Sequence, residues 1–575
     1  MSEKNKKLSI SFDGFGGIDH NLSHSRKTVA DDIVNFRITK DGSLKKRPGY
    51  RLLSDLGSDI RAVYSMPVNG KDLIFVLCEE RLFSIDPATG DAEMLGSVNS
   101  YSGRASFFSY RGILFLVDGS DIYKYSDGDF SIVVGYIPLI GENWGPNIPG
   151  KILESRNIIN NYGRVTYVVP KISTAYFHPK YPVKSIKAVY VNGSAIPESR
   201  YEFNERFQTV DILELYEGDF VEVHLEYEPL LDDLKHRLLN SCSAALFGSS
   251  GYIGIFLCGG NGSHTVFPSV FVDTESLEKS KSFLPRSDVV YFPEYSQFEV
   301  GDGICEIKAV VRHRNKILIF TENDVWMTSP EIMSKENIPA VSINATIGCS
   351  ADNGAISVRN DTVSIGKSAI WLWSGDADDQ HSCSATNISH QINDELCLYG
   401  LSNCGIFFDQ FNDELWIHSK TSDIAWVYNT EIKMWYKYKG ICAEQMIALG
   451  NRIAFINNGK IFIIDEDLTE DILEDRGAVP IEAYYYSAVN DFGSEKLKNL
   501  TSLSMLADLN GEPLNIEFQC DNGEDYQFSL TSSSSEHHSI ISKRLFSGRF
   551  CCTGIKISSN SLGCQSIHRL TINTR

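Results

Sequence analysis

Catalysis and metal binding require particular side chains to converge, and few stretches of this chain offer them. Asp376-Ala-Asp-Asp-Gln-His381 places three carboxylates and an imidazole in one loop, a donor set that suits a hard cation such as calcium. The stretch lacks the glycine and the distal glutamate of an EF-hand loop, and it is read as a solvated acidic loop. Asp127-Gly-Asp129 and Asp465-Glu-Asp467 follow apolar runs directly, where Asp and Gly make turns. Glu536-His537-His538 follows four serines, and adjacent histidines diverge on an extended chain, so a polar loop is expected there. No Gly-x-Ser-x-Gly elbow, phosphate loop or His-Glu-x-x-His motif occurs. A glycosidase needs two carboxylates at a defined separation, and among 74 acidic residues spacing alone selects no pair. Trp371-Leu-Trp373 and Met434-Trp-Tyr436 offer faces on which sugars stack, but they are read as core. No catalytic residue, cofactor site or metal site is therefore assigned.

The 13 cysteines include no Cys-x-x-Cys pair. Cys78, Cys258 and Cys305 sit in apolar, strand-like runs, where a reduced thiol packs as a small hydrophobe. Cys551 and Cys552 would point to opposite faces of a strand and make a poor metal clamp. The net charge of −21 argues against a protein that grips phosphates through a basic stripe, though not against one that nucleic acid slides past. The polar start lacks a signal-peptide core. Apolar runs such as Leu73-Ile-Phe-Val-Leu-Cys78 fall far short of the ~20 residues that span a bilayer. A soluble cytosolic product, of the organism or of a host, is expected.

What positions such residues is a repeated unit. Arg61-Ala-Val-Tyr-Ser-Met66, Lys71-Asp-Leu-Ile-Phe-Val-Leu-Cys78, Arg81-Leu-Phe-Ser-Ile-Asp86 and Ala92-Glu-Met-Leu95 return as Arg104-Ala-Ser-Phe-Phe-Ser109, Gly112-Ile-Leu-Phe-Leu-Val-Asp118, Asp121-Ile-Tyr-Lys-Tyr125 and Phe130-Ser-Ile-Val133. Four short strands every ~40–50 residues is the period of a β-propeller blade. Looser copies keep the apolar second strand at 251–258, 307–327, 362–373, 405–438 and 445–464. At 575 residues the chain exceeds the ~250–300 at which a single core stops growing, and repeated blades extend the core sideways. The fold expected is all-β, a six- or seven-bladed propeller with a small inserted β domain and a C-terminal β-sandwich-like domain. The boundaries are 1–138 for the lead-in and first blades, 139–240 for the insertion, 241–477 for the remaining blades and 478–575 for the C-terminal domain. Asn192-Gly193 between alternating runs predicts a hairpin in the insertion. Helix is expected to be scarce, with 232–239 and 276–283 the best candidates, both short.

The lead-in reads Phe12-Asp-Gly-Phe-Gly-Gly-Ile18, Ala30-Asp-Asp-Ile-Val-Asn-Phe-Arg37 and Asp41-Gly-Ser-Leu-Lys-Lys-Arg-Pro-Gly-Tyr50. It resembles the opening of β-propeller virion proteins of tailed bacteriophages, the group that includes tail nozzle proteins and packaged-DNA stabilisation proteins. Tyr291-Phe-Pro-Glu294 with Val300-Gly301, Ile317-Leu-Ile-Phe320 with Val325-Trp326, and Ile347-Gly-Cys-Ser350 leading to Gly366-Lys-Ser-Ala-Ile-Trp371 resemble a middle segment of the same group. The resemblance implies a non-enzymatic virion protein of the tail or neck, made in the host cytoplasm. Its partners would be copies of itself in a ring, other tail or neck proteins, and DNA passing without sequence-specific binding. It points to Phe15, Gly16, Gly17, Asn35, Arg47, Pro48 and Gly49 as residues of assembly or ring closure.

On physical grounds Gly16-Gly17 is expected to turn through positive φ, and Arg47-Pro48-Gly49 to bend the chain after the turn at 39–43. Such a lead-in can lay its strand into the last blade and fasten the ring, or serve as structure alone. A receptor- or glycan-binding adhesion protein and a propeller hydrolase are the alternative functions.

Overall fold

A computed structural model of the chain describes residues 8–21, 28–146, 148, 150–171, 176–229, 232–249, 252–260, 262–271, 290–301, 303–329, 340–375, 383–473, 476–532 and 539–575. Seven antiparallel four-stranded units follow one another. Blade 1 occupies 60–97, blade 2 106–132, blade 3 243–299, blade 4 307–344, blade 5 355–387 and blade 6 404–439. Blade 7 takes three strands from 445–465 and its fourth from the other end of the chain. Strand Gly49–Asp55 pairs antiparallel with Lys460–Asp465, Tyr50 opposite Ile464. The first strand of each blade touches the first strand of the next, and Gln445–Leu449 returns to Ile60–Val68. The ring is closed, and the expected propeller has seven blades.

The second strands explain the apolar runs. Ile74, Phe75, Val76, Leu77 and Cys78 are all buried, because blades cover both faces of the strand. Ile74 and Val76 share a cluster with Ile456, Ile461 and Ile463 of blade 7, while Phe75 and Leu77 pack with Leu114, Leu116 and Tyr123 of blade 2. The core thus lies between blades, and each such side chain contributes roughly 1.5–3 kcal/mol by leaving water. Asp127 and Gly128, at φ 52° and 83°, make the two-residue hairpin turn expected of that acidic pair.

Between blades 2 and 3 the insertion forms a six-stranded and a three-stranded sheet around its own core, which includes Val165, Val189, Val223 and Tyr227. Asn192 and Gly193 make the predicted hairpin turn. Helix Asp232–Leu239 follows; the second expected helix, 276–283, lies outside the described residues. Past blade 7, strands Leu500–Asp508, Ser539–Arg544 and Ser566–Thr574 face Ala483–Ser487, Leu514–Cys520, Asp525–Leu530 and Thr553–Ser559 across one apolar layer. This sandwich also recruits the lead-in. Leu8–Phe12 pairs with Ser566–Thr574, as does Leu44–Lys46, which in turn pairs with Phe36–Ile38. Ala30–Val34 lies between Ala483–Ser487 and Met434–Lys439, so blade 6 and half of the sandwich form one nine-stranded sheet.

All thirteen cysteines are free thiols. Cys78 and Cys258 are buried as expected, whereas Cys305 stands half-buried in the bend before strand Ile307–His313. Among the described residues, no helix is long and apolar enough to cross a membrane.

Candidate functional site

The lead-in residues singled out by sequence fall into two groups, one at each end of strand Ala30–Val34. Phe15 is buried, stacks with Phe12 at 5.9 Å and meets the Tyr485 ring edge-on at 5.2 Å. Gly16 and Gly17 do not take positive φ, which corrects the expected turn. Their small size answers to close approach instead. A Cβ on Gly16 would stand 2.4 Å from the Thr28 carbonyl oxygen, and one on Gly17 would stand 2.9 Å from Cβ of Met434 in blade 6.

The second group is built around Arg47. Asn35 takes a left-handed conformation, φ 58°, which ends strand Ala30–Val34 and aims its amide inward. The amide donates to Glu482 O at 2.8 Å and accepts from Lys439 N at 2.8 Å and from Arg47 Nε at 3.0 Å. The remaining Arg47 donors go to Asp471 Oδ1 and Oδ2 at 2.8 and 2.7 Å, to Pro48 O at 2.9 Å and to Lys439 O at 3.1 Å. All five N–H groups are used, so a side chain only 2% exposed keeps its charge fully paired. Pro48 breaks the chain between two strands, and Gly49 enters blade 7, where a Cβ would lie 1.9 Å from the Glu470 carbonyl oxygen. Tyr50 donates to Gly440 O at 2.9 Å, and burial pushes its hydroxyl up to about 12. One short segment therefore joins blade 6, blade 7 and the sandwich.

Further polar groups in this seam escaped sequence reading. Arg37 meets Glu466 at 2.8 Å and Glu414 at 3.5 Å, and Tyr436 donates to Glu414 at 2.7 Å. Burial opposes the charge on Arg37, but Glu414, Tyr438 and Glu466 outweigh it and hold its pKa high. Asp465-Glu-Asp467 is thus more than a turn, since Glu466 also reaches Lys45 at 3.6 Å. Lys46 donates to Ser561 O at 2.7 Å, and burial lowers its amine to about 8. Ser43 contacts His568 Nδ1 at 3.0 Å while His568 Nε2 contacts Asp508 at 3.2 Å, a Ser-His-Asp order assembled from distant segments. Ser43 is 3% exposed and donates to Asp41 at 2.7 Å, so this chain of bonds ties the hairpin to the sandwich and leaves no path for a substrate to the hydroxyl.

A second cluster spans one mouth of the propeller axis. Arg104 Nη2 meets Asp352 at 2.6 Å, and Nη1 meets Glu306 at 3.5 Å. Lys308 Nζ meets Glu306 at 3.0 Å and Asp352 at 2.9 Å. Burial works against the charges on Arg104 and Lys308, but Asp352 with Glu306 raises both pKa values. Each residue lies at the start of a first strand, in blade 2, 4 or 5, so all share one end of the axis. Arg104 and Asp352 join blades three positions apart in a ring of seven. The sequence showed no more than charged residues at or near the start of each of these first strands.

No family model and no curated protein matches the sequence. Three solved structures align with the chain at low identity. The AfRom2 CNH domain aligns at 6% identity and TM-score 0.35, over 73% of this chain and 99% of its own. BBS1N in complex with ARL6DN aligns at 10% identity and TM-score 0.27, over 73% and 98%. Apo AztD from Citrobacter koseri aligns at 9% and 0.29, over 76% and 95%. The propeller architecture rests on the strand pairing described above.

The remaining candidates divide plainly. Trp373, Trp435 and Tyr436 are buried in the core, while Trp371 and Met434 are half-buried and pack against it; Trp373 Nε1 donates to Ser364 at 2.9 Å. The acidic loop 376–381 and Glu536-His537-His538 lie outside the described residues. Among the described residues, no group of three or more His, Cys, Asp or Glu side chains is placed to hold a metal ion.

Proposed function

We propose that this chain is a non-enzymatic structural component of a bacteriophage tail or neck, assembling with copies of itself into a ring around the DNA path. One observation carries the reading. The segment that resembles the phage propeller proteins, 12–50, leads into strand Gly49–Asp55, which completes blade 7, and its strand Ala30–Val34 joins blade 6 to the sandwich. The shared residues are therefore scaffold, as expected of a particle component that must hold its shape.

The DNA path is assigned to the lumen between protomers, because Arg104 and Asp352 span one mouth of the propeller's own axis. A chain with a net charge of −21 repels phosphate on average, and a duplex slides past it rather than sticking. Electron microscopy of the purified protein, with mass spectrometry of purified particles, tests the reading. Rings in the micrographs and this chain in the particles are expected; dispersed monomers absent from particles would overturn it.

A further inference from the structure

The C-terminal sandwich carries a cleft of about 640 Å³ whose chemistry opposes that of the molecule around it. Arg544, Arg549 and Arg575 line it beside Leu497 and Phe546, which are 60% and 88% exposed. None of the three guanidinium groups has an ion-pair partner among the described residues, although acidic residues outnumber basic ones 74 to 53. The walls are fixed. Asn499 and Arg575 exchange backbone bonds of 2.9 Å, Asn499 Nδ2 donates to Ser547 O at 2.8 Å, and Leu545 N donates to Thr501 O at 2.9 Å. Unpaired arginine forks beside an exposed ring suit carboxylates flanked by apolar side chains.

Such a segment projects from the insertion. In the 213–217 loop, Leu213 and Tyr216 are 55% and 74% exposed, and Glu217 is exposed beside them. Glu214 meets Arg200 at 3.1 Å yet keeps 71% of its side chain in solvent. The loop is held before any partner arrives. Tyr216 N donates to Asp219 Oδ2 at 2.8 Å, Asp219 N to Tyr216 O at 3.0 Å, and Arg200 Nη2 to Glu214 O at 2.7 Å. A preordered loop loses little entropy on docking.

The ring sets loop and cleft apart. The insertion leaves between blades 2 and 3, while the sandwich joins at blades 6 and 7, on the other side of a seven-membered ring. A chain cannot fill its own cleft, but its neighbour can. We propose that the 213–217 loop of one copy seats in the Arg544–Arg549 cleft of the next, forming the head-to-tail contact of a ring. The proposal rests on the ring reading and adds the surfaces that make the ring. Contacts of this heterologous kind close when the rotation between copies permits.

Sedimentation velocity on the full chain tests it, with R544E/R549E, E214K/E217K, the combined variant and Y216A. Either charge reversal is expected to weaken self-association about tenfold or more, Y216A to weaken it in the same direction, and the combination to recover most of the loss. All these positions are exposed, so melting temperatures should stay at the wild-type value. Variants that still form wild-type rings overturn the contact and leave the ring reading standing. A wild-type chain that stays monomeric overturns both. Binding of an oligothymidine probe that is lost in R544E/R549E, with self-association unchanged, reassigns the cleft to nucleic acid and overturns the contact.

Discussion

Arg47 and Asp471 stand 424 residues apart and meet through two parallel hydrogen bonds of 2.8 and 2.7 Å. The pair lies where the first and last parts of the propeller come together, with the arginine side chain 2% and the aspartate 12% exposed. Ring closure therefore has a charged lock on top of strand pairing.

Removing one half of that lock strands the other. Asp471→Ala should cost about 3–5 kcal/mol in denaturant unfolding, because a buried guanidinium loses two charge-assisted bonds. Arg47→Met paired with Asp471→Leu should cost less than either single change, since no buried charge is left alone. A double variant as unstable as the sum of the two singles would show that the pair acts through something other than mutual neutralisation.

Gly49 tests the strand itself. Its φ is not positive, so alanine meets no backbone penalty, and the obstacle is the Glu470 oxygen 1.9 Å from the new Cβ. Gly49→Ala should force strand Gly49–Asp55 and its parallel neighbour Glu470–Leu473 apart, at about 1–3 kcal/mol for overpacking. Hydrogen exchange should then quicken in 470–473 and stay unchanged in blade 4. Protection equal to wild type across 470–473 would mean that the seam absorbs the extra carbon.

His418 gives the ring a pH dependence. It is 2% exposed, its Nδ1 lies 2.7 Å from Ala443 O, and burial pulls its pKa down to about 4. The unfolded chain, with an ordinary imidazole near 6.5, takes up the proton first as pH falls. Stability from this group is present above about pH 6.5 and declines as pH drops toward 4, by at most about 3 kcal/mol. Urea unfolding of wild type and His418→Gln at several pH values should show a shallower acid decline in the variant. Parallel curves would remove His418 as the cause.

The blades were legible in the sequence because their signals are local. Alternation at period two, continuous apolar second strands and Asp-Gly or Asn-Gly turns act within a few residues, and 61–133 already displays two full units. The glycine signal at 16–17 was visible too, but its cause was not. Whether a glycine serves positive φ or close approach depends on what arrives beside it, here Thr28 and Met434.

By itself, the sequence determined the class of unit, the places where the period breaks and the reduced, apolar setting of Cys78 and Cys258. The tertiary structure alone decided that the ring has seven blades, because the seventh borrows Gly49–Asp55 across the whole chain. It alone brought Arg47 to Asp471, Ser43 to His568 and Arg104 to Asp352. The physical reason is the range of the forces. Backbone preference and side-chain alternation are set by neighbours in sequence, whereas closure and charge pairing are set by which surfaces remain to be covered once the blades have packed.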